Sequence, residues 1–370
     1  MTRSPASTAS NPRRWSLATI AVALLIAALL TLLPFARHVA SADDVPIVTS
    51  QVFAAGLLNP RGITFGPDGW LYVAEAGAAG ETKVEAGLDR LPYRMGWTAR
   101  VTRISPAGEL ETVVGNMPSV ASKDGIYGAA NVAFLDDTLY VLTAAGGRDV
   151  GDPAFDNVIL RVGPDRTVSP IFNLTQYNLQ EPPLARREDP RADVEGGVPY
   201  GLTAFNGRLY ATDANLETVT EIGPDGSHRR VLELPASNRV LIALAPAADG
   251  SLWLAEYGPA PHQPGSSKVD RLTLDGELSD AWTNLNEAIG IAFGPDGSAY
   301  TLTFANKGRA TSAGSLYRRS LDGQVTTIVD GLNMPTGLAI GPDGNAYIAE
   351  NGNLSENGSG RIIRVQLPTP

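Results

Sequence analysis

The chain has 370 residues and no cysteine, and its 39 acidic residues outnumber its 29 basic ones, for a formal net charge of −10. The lack of cysteine excludes disulfides, thiol nucleophiles and thiolate metal ligands. An acidic chain is also poorly suited to the phosphate backbone of nucleic acid, so no nucleic-acid partner is expected.

The first predicted element is an apolar segment near the N-terminus. Residues 15–36 contain no charged side chain, and they follow residues 1–14, whose only charges are positive. The apolar run is long enough to span a bilayer, and the basic residues before it favour an N-terminus in the cytoplasm. It therefore predicts a membrane anchor that holds the rest of the chain outside the cytoplasm. A secretory signal cleaved after Ala42 is the alternative, since small residues lie at that site.

From residue 43 onward the chain is built from repeats. Each unit contains a tight turn, Gly-Pro-Asp-Gly in its fullest form, followed by a strand with Leu-Tyr or a related apolar pair. The six copies occupy residues 66–75, 134–143, 204–213, 247–256, 294–303 and 341–350. Turns of this kind join two antiparallel strands. A second turn in each unit implies four strands, and units of this size are typical of β-propeller blades.

The last unit lacks its fourth strand at the C-terminus. Residues 50–62 read like residues 323–337, which contain the fourth strand of the fifth unit. The N-terminal segment is therefore predicted to supply the outer strand of the last blade. A ring closed in this way has no open strand edge. The sequence thus predicts an all-β fold, a single six-bladed β-propeller over residues 43–370.

One face of the ring, here called the top face, is predicted to carry the binding residues. It presents the residues just before each inner strand and those just after each second strand, where loops on a rigid scaffold converge. Arg61 and Tyr200 are the main candidates, because other blades have Thr336 or Ile289 in equivalent places. His262 lies in a loop that is predicted near the same face.

Four acidic residues end the second strand of a blade, and two interpretations of them stay open. They are Glu75, Asp213, Glu256 and Glu350. Carboxylate oxygens that converge around a channel could hold Ca²⁺. A carboxylate repeated at one position can instead accept backbone N–H bonds from a neighbouring loop, which is a structural role.

Two long insertions interrupt the first two units, at residues 77–98 and 172–197. Both leave from connections on the top face, and loops of this length are usually functional or mobile. We expect them either to cover the channel as lids or to form charged excursions at its edge.

The repeats at residues 56–77, 198–202 and 331–352 resemble the ScyD/ScyE family. Its members are exported NHL-like propellers named for genes associated with biosynthesis of the pigment scytonemin. The resemblance covers nearly all of the repeat region and implies the fold and export. Gluconolactonase-like propellers contain similar strand pairs, and they hold a central Ca²⁺ with Glu and Asn side chains. That similarity implies Asn131 and Glu287 as the comparable positions.

Two functions are therefore open. The first is a membrane-anchored propeller that binds a small molecule or a protein partner at its top face, through Arg61, Tyr200, Asn131, Glu287 and His262. The second is an enzyme of envelope or secondary metabolism, either an oxidative coupling factor or a Ca²⁺-dependent, lactonase-like hydrolase. The sequence contains no Walker loop, dinucleotide fingerprint or G-x-S-x-G elbow, so it identifies no catalytic group.

Overall fold

The repeats fold into a ring of six β-sheets. The computed structural model describes residues 49–84, 93–122, 125–144, 152–184, 196–235, 237, 239–259, 261–305, 313–353 and 358–368. The inner strands of neighbouring sheets are in contact all the way round a central channel. The predicted six-bladed β-propeller is confirmed.

The apolar segment at residues 15–36 lies outside the described residues. Within those residues, no helix is both long and apolar enough to cross a membrane.

Blades 2 to 5 each contain four antiparallel strands, in chain order from the channel outward. Blade 2 consists of Ala129–Leu135, Thr138–Thr143, Val158–Val162 and Val168–Asn173. Blade 3 consists of Pro199–Phe205, Arg208–Asp213, Thr218–Ile222 and His228–Glu233. Blade 4 consists of Leu241–Pro246, Leu252–Glu256, Ser267–Leu272 and Leu278–Leu285. Blade 5 consists of Ala288–Phe293, Ala299–Thr303, Ala313–Arg319 and Val325–Asn333.

Blade 1 is larger because the first insertion is built into its sheet. Its main strands are Pro60–Phe65, Leu71–Glu75, Tyr93–Ile104 and Leu110–Ala121, with the short strands Thr82–Val84 and Ile126–Tyr127 at its extended end. A small apolar cluster of Tyr93, Met95 and Val120 stabilises this extension. Residues 85–92 of the insertion lie outside the described part of the chain.

The second insertion begins with a short helix, α1, at Leu174–Gln180, and residues 185–195 are not described. Asn173 caps this helix, since its side chain accepts the backbone N–H of Gln176 at 2.8 Å. A single 3₁₀ turn, Pro153–Phe155, precedes the third strand of blade 2.

Blade 6 joins the two ends of the described chain. Its strands are Gly337–Ile340, Ala346–Glu350, Gly360–Val365 and, outermost, Ser50–Leu57. The outer strand is antiparallel to its neighbour, with Ser50 opposite Val365. Leu57 is fully buried, and the Phe53 ring lies edge-on against Tyr347 at 5.1 Å. The structure therefore contains the ring closure that the repeat predicts.

The repeated Asp and Tyr of the turn phrase form a structural pair at the bottom of the blade. In blade 1, Asp68 accepts the backbone N–H of Trp70 at 3.1 Å, and the Tyr72 hydroxyl donates to the same carboxylate at 2.9 Å. Blade 6 repeats the arrangement with Asp343 and Tyr347, whose oxygens are 3.0 Å apart. These residues recur because they fix the turn, and they lie at the end of the blade opposite the candidate site.

We predict that the closing strand is essential for stability. Deleting residues 1–57 removes the buried Leu57 side chain and the half-buried Phe53 ring together with one strand ladder. Each large apolar side chain contributes about 1.5 to 3 kcal/mol, so the loss in free energy of unfolding should be about 3 kcal/mol or more. Urea unfolding measures it, with a chain that lacks only residues 1–48 as the control. Equal unfolding midpoints for the two chains would contradict the closure.

Candidate functional site

The central channel provides a cavity with an uncharged wall. Its volume is about 510 Å³, and its lining comes from all six inner strands. The lining residues include no charged side chain, and their polar side chains are Asn131 and the threonines Thr64, Thr203 and Thr336. Charged groups that could bind a ligand must therefore come from the mouths of the channel.

The top mouth is formed by the second residue of each inner strand or its equivalent. The first residue of that strand pairs with the last residue of the second strand, as Pro60 does with Glu75 and Pro199 with Asp213. The residue directly after this first one has an equivalent in each of the six blades. We call these six positions the rim. They are Arg61, Ala130, Tyr200, Ile242, Ile289 and Thr336. The rim is thus polar on blades 1, 3 and 6 and apolar on blades 2, 4 and 5.

Arg61 lies between two top loops. Its Nη2 donates to the carbonyl of Ile126 and to Asn353 Oδ1, the latter at 3.0 Å. Asn353 Oδ1 also accepts the backbone N–H of Ile126 at 3.2 Å. Both acceptors are uncharged, and within the described residues no carboxylate lies at ion-pair distance from Arg61. Arg61 is therefore a half-buried positive charge on the rim that has no anionic partner among the described residues.

Tyr200 and Asn131 lie on the next two blades. The half-buried Tyr200 presents a hydroxyl that bonds to none of the described residues. Its carbonyl accepts Asn131 Nδ2 at 3.2 Å. A Cβ atom on Gly62 would lie 2.3 Å from the Asn131 side chain, so Asn131 occupies the space that this glycine leaves open. Asn131 thus bridges blades 1 to 3, while the Tyr200 hydroxyl stays available.

Glu287 and His262 are brought together by a residue that the sequence analysis missed. The Tyr257 hydroxyl donates to Glu287 Oε2 at 2.7 Å, and the His262 ring meets the Tyr257 ring edge-on at 4.8 Å. Tyr257 directly follows the second strand of blade 4, where blades 1 to 3 have Ala76, Ala144 and Ala214. An aromatic residue at a position that blades 1 to 3 fill with alanine was the signal that could have identified it.

The acids at the ends of the second strands are each held by nearby arginine side chains or backbone N–H groups. Glu75 is fully buried and forms an ion pair with Arg100 at 2.7 Å, and it also accepts the backbone N–H of Leu58. Glu350 repeats this arrangement with Arg361 at 2.7 Å and the N–H of Asn333 at 2.8 Å. The oxygens of these carboxylates stabilise the loop that leads into the inner strand.

Asp213 and Glu256 also have a structural role, but their hydrogen-bond and ion-pair partners are different. Asp213 accepts the backbone N–H groups of Asn215 at 2.9 Å and Leu216 at 2.8 Å. Glu256 pairs with Arg239, which also pairs with the buried Asp270. Burial, and then the nearby Asp270, raise the pKa of Glu256 to about 7, against the opposing effect of Arg239.

The described residues do not fit a Ca²⁺ site. The four strand-end acids lie on different blades, and each is engaged by arginine or backbone N–H groups. Within the described ranges, no three His, Asp or Glu residues gather as metal ligands. Asn131 and Glu287 belong to blades 2 and 5 and are held by Tyr200 and Tyr257. Calcium requires 6 to 8 converging oxygens, roughly, and this part of the chain supplies no such set.

Part of the chain is similar in sequence to a known protein family. Residues 190–353 match the family model described as the SMP-30/gluconolactonase/LRE-like region. These residues contain blades 3 to 5 and the inner half of blade 6. Among curated proteins, none is significantly similar to this chain in sequence.

Solved structures with the same fold are only distantly related in sequence. A putative oxidoreductase (glucose dehydrogenase) from Thermus thermophilus is 16% identical, with a TM-score of 0.55, over 86% of this chain and 100% of the other. A gluconolactonase from Xanthomonas campestris is 13% identical, with a TM-score of 0.53, over 87% of this chain and 90% of the other. The PQQ-bound aldose sugar dehydrogenase from Streptomyces coelicolor is 15% identical, with a TM-score of 0.51, over 86% of this chain and 98% of the other. At these identities the likeness shows the fold alone.

The raised pKa of Glu256 predicts a stability that falls as pH rises. Between the ordinary value of 4.5 and about 7, the folded carboxyl keeps a proton that the unfolded one has lost. The stabilisation is therefore complete below the unfolded pKa and disappears as pH rises through the folded pKa, with a slope of at most about 1.4 kcal/mol per pH unit. Urea unfolding between about pH 5 and pH 7 measures this slope.

The variant Glu256→Gln should flatten that pH dependence, because an amide does not titrate. Glu277→Gln is the matched control, since Glu277 is an exposed acid of the same blade in a turn at the bottom. Equal slopes for Glu256→Gln and the unmodified chain would show that another group titrates.

Proposed function

We propose that this protein is a binding propeller, anchored at a membrane and exposed outside the cytoplasm, that takes a small molecule at the top mouth of its channel. The observation that supports this most directly is the Arg61 guanidinium, which is half-buried on the rim and has only uncharged acceptors among the described residues. Partial burial of a charge without a counter-charge is costly, and a bound anion would relieve that cost.

The rest of the mouth suggests the chemistry of the ligand. Arginine binds carboxylate and phosphate groups strongly, because its planar fork can donate two parallel hydrogen bonds. The free Tyr200 hydroxyl can add one more, and the apolar rim residues Ile242 and Ile289 lie on the far side of the ring. The channel volume of about 510 Å³ also falls within the range common for small-molecule pockets. We therefore propose an organic acid with an apolar body.

The proposal does not extend to a reaction. The gluconolactonase-like match over residues 190–353 favours a hydrolase as the second candidate, but the described residues provide neither the Ca²⁺ ligands nor another recognisable catalytic set. Oxidative coupling gains no supporting contact from the described residues. The resemblance to the ScyD/ScyE family, and any role in pigment biosynthesis, stay predictions from the segments at residues 56–77, 198–202 and 331–352.

Binding of simple acids tests the proposal. Isothermal titration with hexanoate and benzoate, each paired with its neutral amide, should show that the acids bind and the amides do not. Arg61→Gln should weaken acid binding about tenfold or more, because it removes the charge, and Tyr200→Phe should weaken it about threefold through the loss of one hydrogen bond.

Arg161→Gln is the matched control, since Arg161 is exposed on the third strand of blade 2. Thermal unfolding verifies that the Arg61 variant keeps its fold. Equal affinity for acids and amides would refute the anion site. If the acids bind only when a protein partner is also present, the top face would instead be a protein interface.

The proposed anchor rests on the uncharged run at residues 15–36 and the basic residues before it. Cell fractionation should place the full-length chain in the membrane, with its propeller accessible to protease added outside the cell. A soluble mature form that begins at Asp43 would show that the segment is a cleaved signal.

A further inference from the structure

A second polar cluster lies at the top of the seam between blades 4 and 5. It consists of Tyr257, His262, Glu287 and Phe304, and we call it the aromatic–carboxylate cluster. Glu287 precedes the inner strand of blade 5, with a φ of +44° and only 4% of its surface exposed. Its carbonyl accepts the backbone N–H of Phe304 at 2.9 Å, which fixes the carboxylate at the seam.

The Glu287 carboxylate has no cationic partner among the residues that the structure describes. Its one hydrogen bond comes from the Tyr257 hydroxyl, at 2.7 Å, and no Arg, Lys or His of the described chain lies at ion-pair distance. The second oxygen, Oε1, bonds to none of the described residues and is not fully enclosed. A buried carboxylate held by a single neutral donor is poorly stabilised, so a cation at Oε1 would lower its free energy.

Three acids near equivalent ends of other blades do not share this feature. Each is paired with an arginine of its own blade: Glu75 with Arg100, Glu256 with Arg239, and Glu350 with Arg361. Arginine therefore neutralises three of the four strand-end acids, and the fourth, Asp213, accepts backbone N–H groups instead. Glu287 departs from that pattern at the top face, which is the face where ligands are expected.

Two further aromatic rings contact the tyrosine that bonds to this carboxylate. The Tyr257 ring contacts His262 edge-on, with centroids 4.8 Å apart and an angle of 87°, and faces Phe304 at 6.2 Å and 51°. His262 Nδ1 lies 3.1 Å from the carbonyl of Gly258 and donates to it. This bond uses the Nδ1 proton within the loop and holds the ring beside Tyr257. Aromatic faces together with a carboxylate form the typical environment for an organic cation.

We propose that the aromatic–carboxylate cluster binds an organic ammonium group, such as a primary or methylated amine. An ammonium needs one carboxylate and the negative faces of aromatic rings, and the cluster supplies both. A divalent metal ion would need about six oxygen ligands, and the cluster offers far fewer. The net charge of −10 also raises the local concentration of cations around the protein. This site uses different residues and the opposite ligand charge from the Arg61 site, so either proposal can fail alone.

Choline and its uncharged carbon analogue, 3,3-dimethylbutan-1-ol, test the proposal because they share one shape and differ in charge. Isothermal titration of the full-length chain should detect choline and give binding at least about tenfold weaker for the alcohol. Glu287→Gln keeps an acceptor for the Tyr257 hydroxyl and removes the charge, and should weaken choline binding about tenfold. Phe304→Leu removes one half-buried ring and should weaken it about two- to fivefold.

Glu277→Gln is the matched control, because it makes the same change of charge on an exposed side chain at the bottom of blade 4, and it should leave choline binding unchanged. If Glu287→Gln fails to fold, the Phe304 variant still tests whether the cluster binds choline. Equal binding of choline and the alcohol would overturn the proposal. So would unchanged choline binding in both cluster variants, or calcium binding that depends on Glu287 while choline does not bind.

Discussion

The structure depends on the closure of the ring. The strand Ser50–Leu57 completes the sheet that begins at Gly337, and it does so by pairing with the last strand of the chain. Without that pairing, blade 6 would end in an open edge and the contact between the inner strands of blades 6 and 1 would lose its support. Each of the six rim positions lies at the start of one of the six inner strands of the ring. Ring closure therefore sets the geometry of the mouth as well as the stability of the fold.

A second constraint closes the top of a blade with backbone atoms alone. In blades 1 to 5, the carbonyl of the residue before the inner strand accepts the N–H of the residue after the second strand, at 2.8 to 3.0 Å. This backbone bond closes the top of each blade. Asn59 and Glu287 adopt a positive φ to make it. Since backbone atoms close the blade, the side chain at the rim is open to vary, and blades 1 and 3 differ there from the rest.

Charge at the top face is mostly balanced within each blade, and the exceptions mark the candidate sites. Arginine or backbone N–H groups compensate the four strand-end acids. Arg61 on blade 1 and Glu287 on blade 5 have no partner of opposite charge among the described residues. A buried charge without a counter-charge raises the free energy of the folded chain. A ligand of opposite charge would therefore stabilise these two groups the most.

The sequence by itself determined the fold, because a repeated turn and an incomplete last unit leave few ways to pair the strands. It also suggested Arg61 and Tyr200 as candidates, since a residue that departs from a repeat is visible without coordinates. The tertiary structure alone decided which charges are compensated. Arg100, Arg239 and Arg361 reach their acids from adjacent strands or loops, and Tyr257 meets Glu287 from the next blade. Such pairings depend on side-chain direction across a seam, which the spacing of residues along the chain does not encode.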